Sequence, residues 1–241
     1  MPRYAMVIDL QRCVGCGACS IACRNENNVP EGIYWSNKIT ETVGVFPNVR
    51  YHYIPTLCNH CQNAPCVRGC PTKAMHKLAN GITMHDPHKC IGCKYCMFNC
   101  PYGVIYFNWG KPHQFWRNKD ELIKGCTASP VEETKAVDGR VIPYYNPDRA
   151  ETSDGIRPKG VVEKCTFCDH RVKKGELPYC VEACPAKARI FGDIKDPNSA
   201  VSKLLGKHRP FRLREGIGTE PHVFYIRNFN PAQYEATKGA A

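Results

Sequence analysis

The sequence predicts an α+β fold in which short strands and helices surround cysteine-rich loops, and three observations favour it. First, 17 of the 241 residues are cysteine, far above ordinary usage in soluble proteins. Second, short strand-like runs lead into and out of the cysteine loops. Third, the hydrophobic fraction of 43% falls to about 36% without cysteine, a thin supply for a core of this size. Something other than aliphatic side chains must help to hold the chain together.

Sixteen of the cysteines form four groups of four, and only Cys126 stands outside them. Groups one and two consist of Cys13, Cys16, Cys19 and Cys23, and of Cys58, Cys61, Cys66 and Cys70. Groups three and four consist of Cys90, Cys93, Cys96 and Cys100, and of Cys165, Cys168, Cys180 and Cys184. Proline follows the last cysteine in groups two, three and four. The regular grouping indicates four related metal-binding loops.

Group three has the C-x2-C-x2-C-x3-C-P spacing of bacterial ferredoxins, in which three cysteines ligate one cubane cluster and the fourth ligates its neighbour. Glycines such as Gly15 and Gly92 allow the backbone of such a loop to turn close to the sulfurs. Structural zinc also uses four thiolates, but zinc ribbons present two separated pairs, a pattern that would describe group four alone. The odd number of cysteines argues against complete disulfide pairing. The sequence therefore predicts four [4Fe–4S] clusters.

The strand-like runs form an internal repeat. Residues 6–10 and 82–85 lead into groups one and three, and residues 74–75, 104–107 and 189–191 follow the three Cys-Pro pairs. Groups one and three share one loop type, whereas groups two and four share another. The chain thus carries two copies of each of two cluster-binding loops.

Four groups that each send one cysteine to a neighbour form two reciprocal pairs. Only 19 residues separate Cys70 from Cys90, which favours pairing group two with group three as in a compact two-cluster ferredoxin. Group one then pairs with group four, so that one ferredoxin-like unit is nested inside the other. The rival pairing, of group one with two and of three with four, stays open.

The nested pairing predicts four sets of ligands, each named here after its first cysteine. The Cys13 set contains Cys13, Cys16, Cys19 and Cys184, and the Cys58 set contains Cys58, Cys61, Cys66 and Cys100. The Cys90 set contains Cys90, Cys93, Cys96 and Cys70, and the Cys165 set contains Cys165, Cys168, Cys180 and Cys23. Residues 1–57 with 161–200 would form the outer unit, and residues 58–110 the inner unit.

Two regions lie outside these units. Residues 111–160 are rich in proline without periodicity, which is typical of an irregular insertion, and Cys126 within it is interpreted as a free thiol. Residues 201–241 are predicted to be a C-terminal extension that contacts a partner.

The sequence contains no Ser–His–Asp order, phosphate loop or dinucleotide fingerprint, so the chain is not expected to be an enzyme by itself. Charged residues near the ligands are candidates for tuning cluster potentials: Arg12, Arg68, Lys89, Lys94 and Lys164. His60 and His170 are expected to occupy supporting or surface positions, because the cysteines already complete each cluster. Aromatic residues are expected to shield the clusters from water: Tyr95, Phe98, Tyr102, Phe107, Trp109 and Phe167.

The order of the four groups and the chain length resemble the four-cluster electron-transfer subunits of the molybdopterin oxidoreductases, the dimethyl sulfoxide reductase family. Residues 6–10, 54–61, 163–171 and 223–227 are most similar to the small subunits of respiratory arsenate reductases. Arsenite oxidases and tetrathionate, polysulfide or thiosulfate reductases are the related alternatives. The resemblance implies a molybdopterin catalytic subunit as partner, with a quinol-oxidising membrane subunit or a soluble cytochrome as a further one. It supports the nested pairing and implies the cluster order one, four, three, two, starting at the catalytic subunit.

Two further functional classes are compatible with parts of the sequence: a free-standing polyferredoxin and a zinc-stapled nucleic-acid-binding protein. The formal charge of +11 would favour nucleic-acid binding, but it leaves out the charges of the thiolates and of the cluster cores. Sixteen thiolates and four oxidised cluster cores lower it to about +3, so much of the basicity is counter-charge and no nucleic-acid partner is expected.

The last expectations concern the membrane and the cell compartment. No run reaches the roughly 18 apolar residues of a membrane-spanning helix, so no direct membrane span is expected. The family resemblance implies a periplasmic location, reached by co-export with the catalytic subunit, and a cytoplasmic location is the alternative.

Overall fold

The computed structural model describes residues 1–113, 121, 123–138 and 156–228. The strands are β1 (Tyr4–Asp9), β2 (Ser36–Val43), β3 (Arg50–Leu57), β4 (Met75–Lys77), β5 (Thr83–His85), β6 (Tyr106–Phe107), β7 (Val162–Glu163), β8 (Arg189–Asp193) and β9 (Val223–Ile226). The helices are α1 (Ala18–Glu26), α2 (Pro65–Arg68), α3 (Tyr95–Asn99), α4 (Pro130–Asp138), α5 (Asp169–Lys173), α6 (Tyr179–Glu182) and α7 (Ala200–Lys207). This mixture of short helices and small sheets confirms the α+β class.

The largest sheet has the strand order β8-β1-β9. Strand β1 pairs antiparallel with β8 and parallel with β9. Its central residues are apolar without alternation because both faces of the strand are covered. Met6 and Ile8 belong to the main core, whereas Ala5 and Val7 pack beneath α7 with Val201. The residues that enter group one are therefore fixed at the centre of the molecule.

Strand β9 lies in the region expected to be a C-terminal extension, yet all four of its residues are buried in the central sheet. Tyr225 from this strand donates a hydrogen bond of 2.8 Å to the carbonyl oxygen of Pro55. The C-terminal region thus contributes to the core that supports the cysteine loops. Residues 229–241 lie outside the described residues.

Part of the expected irregular insertion is helical. Helix α4 begins at Pro130, and Ser129 and Glu132 form a reciprocal capping box at its start. The sequence Ser-x-x-Glu at 129–132 is a capping-box signal for this helix, so the expectation of irregular structure is wrong here. Cys126 is exposed. The rest of the insertion, at residues 114–120, 122 and 139–155, lies outside the described part of the chain.

Strands β2 and β3 form a hairpin that no sequence signal identified. Ser36 and Leu57 face each other at its buried base, whereas Phe46 in the turn is 87% exposed. The hairpin reaches the first cysteine loop, where the Lys38 ammonium donates a hydrogen bond to the carbonyl oxygen of Gly15. In the described ranges no helix combines the length and the apolar character needed to cross a membrane.

Candidate metal centres

The Cys13 set surrounds one cavity, which all four of its cysteines line. The loop turns at Gly15 and Gly17, whose φ angles are 68° and 79°, and α1 begins directly after it. Cys184 comes from the loop after α6, and its sulfur accepts a hydrogen bond of 3.3 Å from the backbone N–H of Ala188. Because Cys16 is exposed, this set reaches the protein surface.

The Cys58 set lines a second cavity. Cys58, Cys61 and Cys66 are buried. Burial, reinforced by the charge of the neighbouring Cys58, raises the pKa of Cys61 to about 11 and that of Cys66 to about 12. As free thiols these residues would keep their protons at neutral pH, so binding of iron at this set is coupled to proton release.

The Cys90 set lines a third cavity. Lys94, with φ at 60°, turns the chain into α3 between Cys93 and Cys96. Although burial opposes it, hydrogen bonds from the backbone of Met75 and from Thr72 lower the pKa of Cys70. Cys93 is exposed, so this set also reaches the surface.

The Cys165 set is buried at all four cysteines. Burial raises the pKa of Cys23, and the neighbouring charges of the other three members raise it further. The amide nitrogen of Asn27 lies 3.7 Å from the sulfur of Cys23 and 3.6 Å from that of Cys168. Cysteines from α1 and from the group-four loop thus share one enclosed neighbourhood.

The four sets follow one another in the order Cys13, Cys165, Cys58, Cys90. Cys19 lies near enough to Cys180 to raise the pKa of that buried thiol, and Cys58 does the same to Cys165. The Cys58 and Cys90 sets share a smaller hydrophobic cluster. The expected order, with group three before group two, is therefore wrong. Cys58 directly follows β3, whose hairpin lies against the Cys13 loop, and this connection brings group two toward the outer unit.

The donor set suits clusters better than single ions. Zinc requires about four ligands converging at roughly 2.0–2.3 Å. In the part of the chain that the structure describes, no three or more His, Cys, Asp or Glu side chains converge in a way that could hold one metal ion. Twelve of the sixteen grouped cysteines instead line three cavities, one each for the Cys13, Cys58 and Cys90 sets, which is consistent with the predicted cubane clusters.

Two buried cations lie between neighbouring sets. Lys164 is 1% exposed, and its ammonium donates hydrogen bonds to the carbonyl oxygens of Thr83 and Cys165. Its charge also opposes the rise in the pKa of Cys66. Arg189 is 3% exposed and lies beside Cys180 and Cys19. Lys164 could be predicted from its place beside a ligand, but Arg189 could not, because nothing in a linear motif shows that an arginine is buried.

The other residues expected to tune potentials are less enclosed. Arg12, Arg68 and Lys89 are exposed. The ammonium of Lys94 lies 4.0 Å from the ring centroid of Trp109. A charge shifts the potential of a nearby cluster most where water is excluded. Lys164 is therefore expected to have the strongest effect of the five residues, because it is buried.

His60 and His170 are both buried, so the surface position considered for them is wrong. His170 Nε2 lies 2.9 Å from Glu26 Oε1. His60 Nδ1 accepts a hydrogen bond of 3.0 Å from the backbone N–H of Thr83, and the ring stacks 3.7 Å from Phe167. Both histidines therefore hold the loops in place.

The expected shielding by aromatic residues is only partly correct. Phe167 is buried, but Phe98 is 84% and Trp109 67% exposed, and Tyr95 is exposed as well. These rings form part of the surface next to the Cys90 set, where they cannot exclude water from it.

Residues 49–115 and 133–194 match the family model of the 4Fe-4S dicluster domain, and residues 6–26 match that of the 4Fe-4S binding domain. Together these segments contain all four cysteine groups. The chain belongs to the 4Fe-4S dicluster family. The protein, called the dicluster protein below after this family, holds four [4Fe–4S] clusters in all, which confirms the prediction from cysteine spacing.

Relatives of the dicluster protein include subunits of reductases, and the similarity extends over nearly its whole length. It is 54% identical to the arsenate respiratory reductase iron–sulfur subunit of Shewanella sp. strain ANA-3, over 94% of this chain and 97% of the relative. It is 41% identical to a putative iron–sulfur subunit of a dimethyl sulfoxide reductase of Halobacterium salinarum, over 94% and 79%. It is 36% identical to a subunit of the tetrathionate reductase of Salmonella typhimurium, over 93% and 72%. The dicluster protein is accordingly a non-catalytic electron-transfer subunit.

Proposed function

We propose that the dicluster protein is the electron-transfer subunit of a respiratory arsenate reductase, with a molybdopterin catalytic subunit as its partner. The observation that carries this proposal is the 54% identity to an arsenate respiratory reductase iron–sulfur subunit, over 97% of that subunit. The relative named for tetrathionate reduction shares 36%. Because the substrate binds on the partner, the test must include the partner.

We further propose that each cysteine set ligates one cluster, in two nested ferredoxin-like units. Three sets each line a single cavity, and Cys23 is surrounded by the other three members of its set. When bound, the clusters supply one-electron redox chemistry. The protein contributes thiolate ligands, exclusion of water around the two buried sets, and surface access at the other two.

The proposed electron path begins and ends at the two sets that reach the surface. Apolar side chains are exposed beside both: Val14 at 62% and Ile21 at 72% near the Cys13 set, and Ile91 at 67% and Phe98 at 84% near the Cys90 set. Such patches are typical of partner contacts. We place the catalytic subunit at the Cys13 end, and a quinol-oxidising membrane subunit or a soluble cytochrome at the Cys90 end.

The decisive experiment isolates the native complex without denaturation. We expect the protein to co-purify with a molybdenum-containing subunit, and arsenate to reoxidise its chemically reduced clusters within the complex. Tetrathionate, polysulfide and thiosulfate serve as comparison oxidants, and arsenite as the comparison reductant. Faster reoxidation by a sulfur oxyanion or polysulfide, or reduction by arsenite alone, would contradict the arsenate assignment. Elution as a free monomer would instead support a polyferredoxin.

We also propose that the protein reaches the periplasm by co-export with the catalytic subunit. Fractionation of cells with and without the catalytic subunit's export signal tests this. Periplasmic protein only in the presence of that signal is expected, and cytoplasmic retention in both strains would contradict it.

A further inference from the structure

Arg189 occupies a position shared by two cysteine sets. It begins β8, where it lies opposite Ile8 of the central strand β1. Its side chain lines the cavity of the Cys13 set. Its guanidinium also lies beside Cys180 of the Cys165 set, with which it interacts directly, and near Cys23 of the same set. One buried guanidinium therefore faces two neighbouring redox sites.

The charge of Arg189 is not neutralised by a carboxylate in the described part of the chain. Its two terminal nitrogens have no oxygen or nitrogen partner there, and the guanidinium interacts instead with the thiol of Cys180. Arg157 provides the contrast, since it is equally buried but lies 2.9 Å from Glu163. A buried cation is costly unless an anion compensates its charge. Thiolate-ligated clusters at the two adjoining sets are anions of the required kind.

We propose that Arg189 is a shared potential-setting residue, whose fixed positive charge stabilises the reduced clusters of both the Cys13 set and the Cys165 set. This inference rests on the proposed cluster ligation.

Reduction adds one negative charge to a cluster that four thiolates already make anionic. A cation in a dry environment stabilises that added charge far more than the same cation in water. Because Arg189 lies at the junction of the two sets, an electron that moves between them stays near the same positive charge. The guanidinium thus raises both reduction potentials together, so that the free-energy change of electron transfer between the two clusters stays small.

The test compares three variants of the cluster-loaded protein by redox titration followed with EPR spectroscopy. Arg189→Met removes the buried charge, Arg189→Lys retains it, and Arg12→Met removes an exposed charge beside the Cys13 set. Arg12 is a matched control because its side chain is 56% exposed and adjoins the same set.

We expect Arg189→Met to lower the reduction equilibrium constants of two of the four clusters at least tenfold, which is about 59 mV for a one-electron couple. The other two clusters should change less than threefold. All four should change less than threefold in Arg189→Lys and in Arg12→Met.

Two results would overturn the inference: unchanged potentials in Arg189→Met with all clusters loaded, or a shift of tenfold or more in Arg189→Lys. The lysine variant keeps the test decisive if the methionine variant does not fold. A wrong ligand assignment would be visible separately. A cysteine variant would then lose the EPR signal of a different cluster from the one predicted, whereas the potentials of Arg189→Met and Arg189→Lys could still be compared.

Discussion

The two inner cysteine sets and the two outer ones, each proposed to bind one [4Fe–4S] cluster, lie in different surroundings. All four cysteines of the Cys165 set are buried, and so are three of the Cys58 set. The Cys13 and Cys90 sets each have an exposed cysteine, Cys16 and Cys93 respectively. Under the proposed ligation, the outer sets are placed to exchange electrons with other proteins, and the inner sets to pass electrons between the outer ones.

The difference also shows what a buried redox site requires. Where water is excluded, anionic clusters need compensating charge from the protein. Lys164 adjoins both inner sets, and Arg189 lies where the Cys165 set meets the Cys13 set. At the outer sets solvent screens charge, so exposed residues such as Arg12 and Lys89 are expected to have only a weak effect on the cluster potentials. Burial, more than proximity in sequence, decides which charge matters.

The largest effect should come from removing a ligand at an inner set. We expect Cys165→Ser to lower the yield of soluble protein several-fold, because Cys165 belongs to the main core with Phe167 and Tyr225 and its cluster is part of the folding energy. Cys16→Ser should yield soluble protein that loses only the Cys13-set cluster. The yield of soluble protein, together with iron and acid-labile sulfide per soluble chain, measures both effects. Equal losses in the two variants would break the distinction between inner and outer sets.

A smaller but still large difference in stability is expected between alanine substitutions at two glycines in the loops of the outer sets. A Cβ on Gly92 would lie 2.2 Å from the carbonyl oxygen of Gly160, whereas one on Gly17 meets nothing within 4 Å. Both glycines have positive φ. We expect Gly92→Ala to cost about 3 kcal/mol or more and Gly17→Ala about 1–2 kcal/mol, the ordinary strain of that conformation. The temperature at which cluster absorbance disappears checks this. Similar values would mean that the Cys90 loop is not held by its contact with Gly160.

The smallest expected effect is a loss of stability at acid pH, which is caused by two buried histidines. Burial, with nearby cations such as Lys164 and Lys77, lowers the pKa values of His85 and His222 to about 4. An unfolded chain binds these protons near pH 6.5, so the stabilisation is present above about pH 6.5 and is lost as the pH falls toward 4. We expect the double variant His85→Gln with His222→Gln to recover roughly 1–3 kcal/mol of that loss.

The rate of cluster loss between about pH 7 and pH 4.5 measures this effect. His88→Gln, at an exposed position, serves as the control and should leave the pH profile unchanged. The same flattening in the control would place the acid-sensitive groups at the surface.

Cysteine spacing predicted the clusters and the loops because metal-ligand geometry is local and leaves a strict pattern. The strands that border the loops, such as β1 and β8, could be predicted for the same reason. Strand β9 could not, since its parallel pairing with β1 joins Met6 to Val223, more than two hundred residues apart in the chain. The order of the sets was also misjudged, because it depends on where the hairpin β2–β3 brings Cys58.

Burial is the other property that the sequence did not reveal. Arg189 and Arg12 both lie near cysteines in the sequence, but only Arg189 is enclosed. Phe98 and Phe167 are likewise both near ligands, but one faces solvent and the other the core. These differences come from contacts between distant segments.

The central claim, that nested units share ligands across the chain, is tested most directly by the EPR spectrum of Cys23→Ser. Cys23 belongs to group one, yet it is the proposed fourth ligand of the Cys165 set. The nested arrangement predicts that Cys23→Ser alters the same cluster signal as Cys168→Ser and leaves the others unchanged. If Cys23→Ser instead altered the signal that Cys66→Ser alters, group one would pair with group two, and the nested account would be wrong.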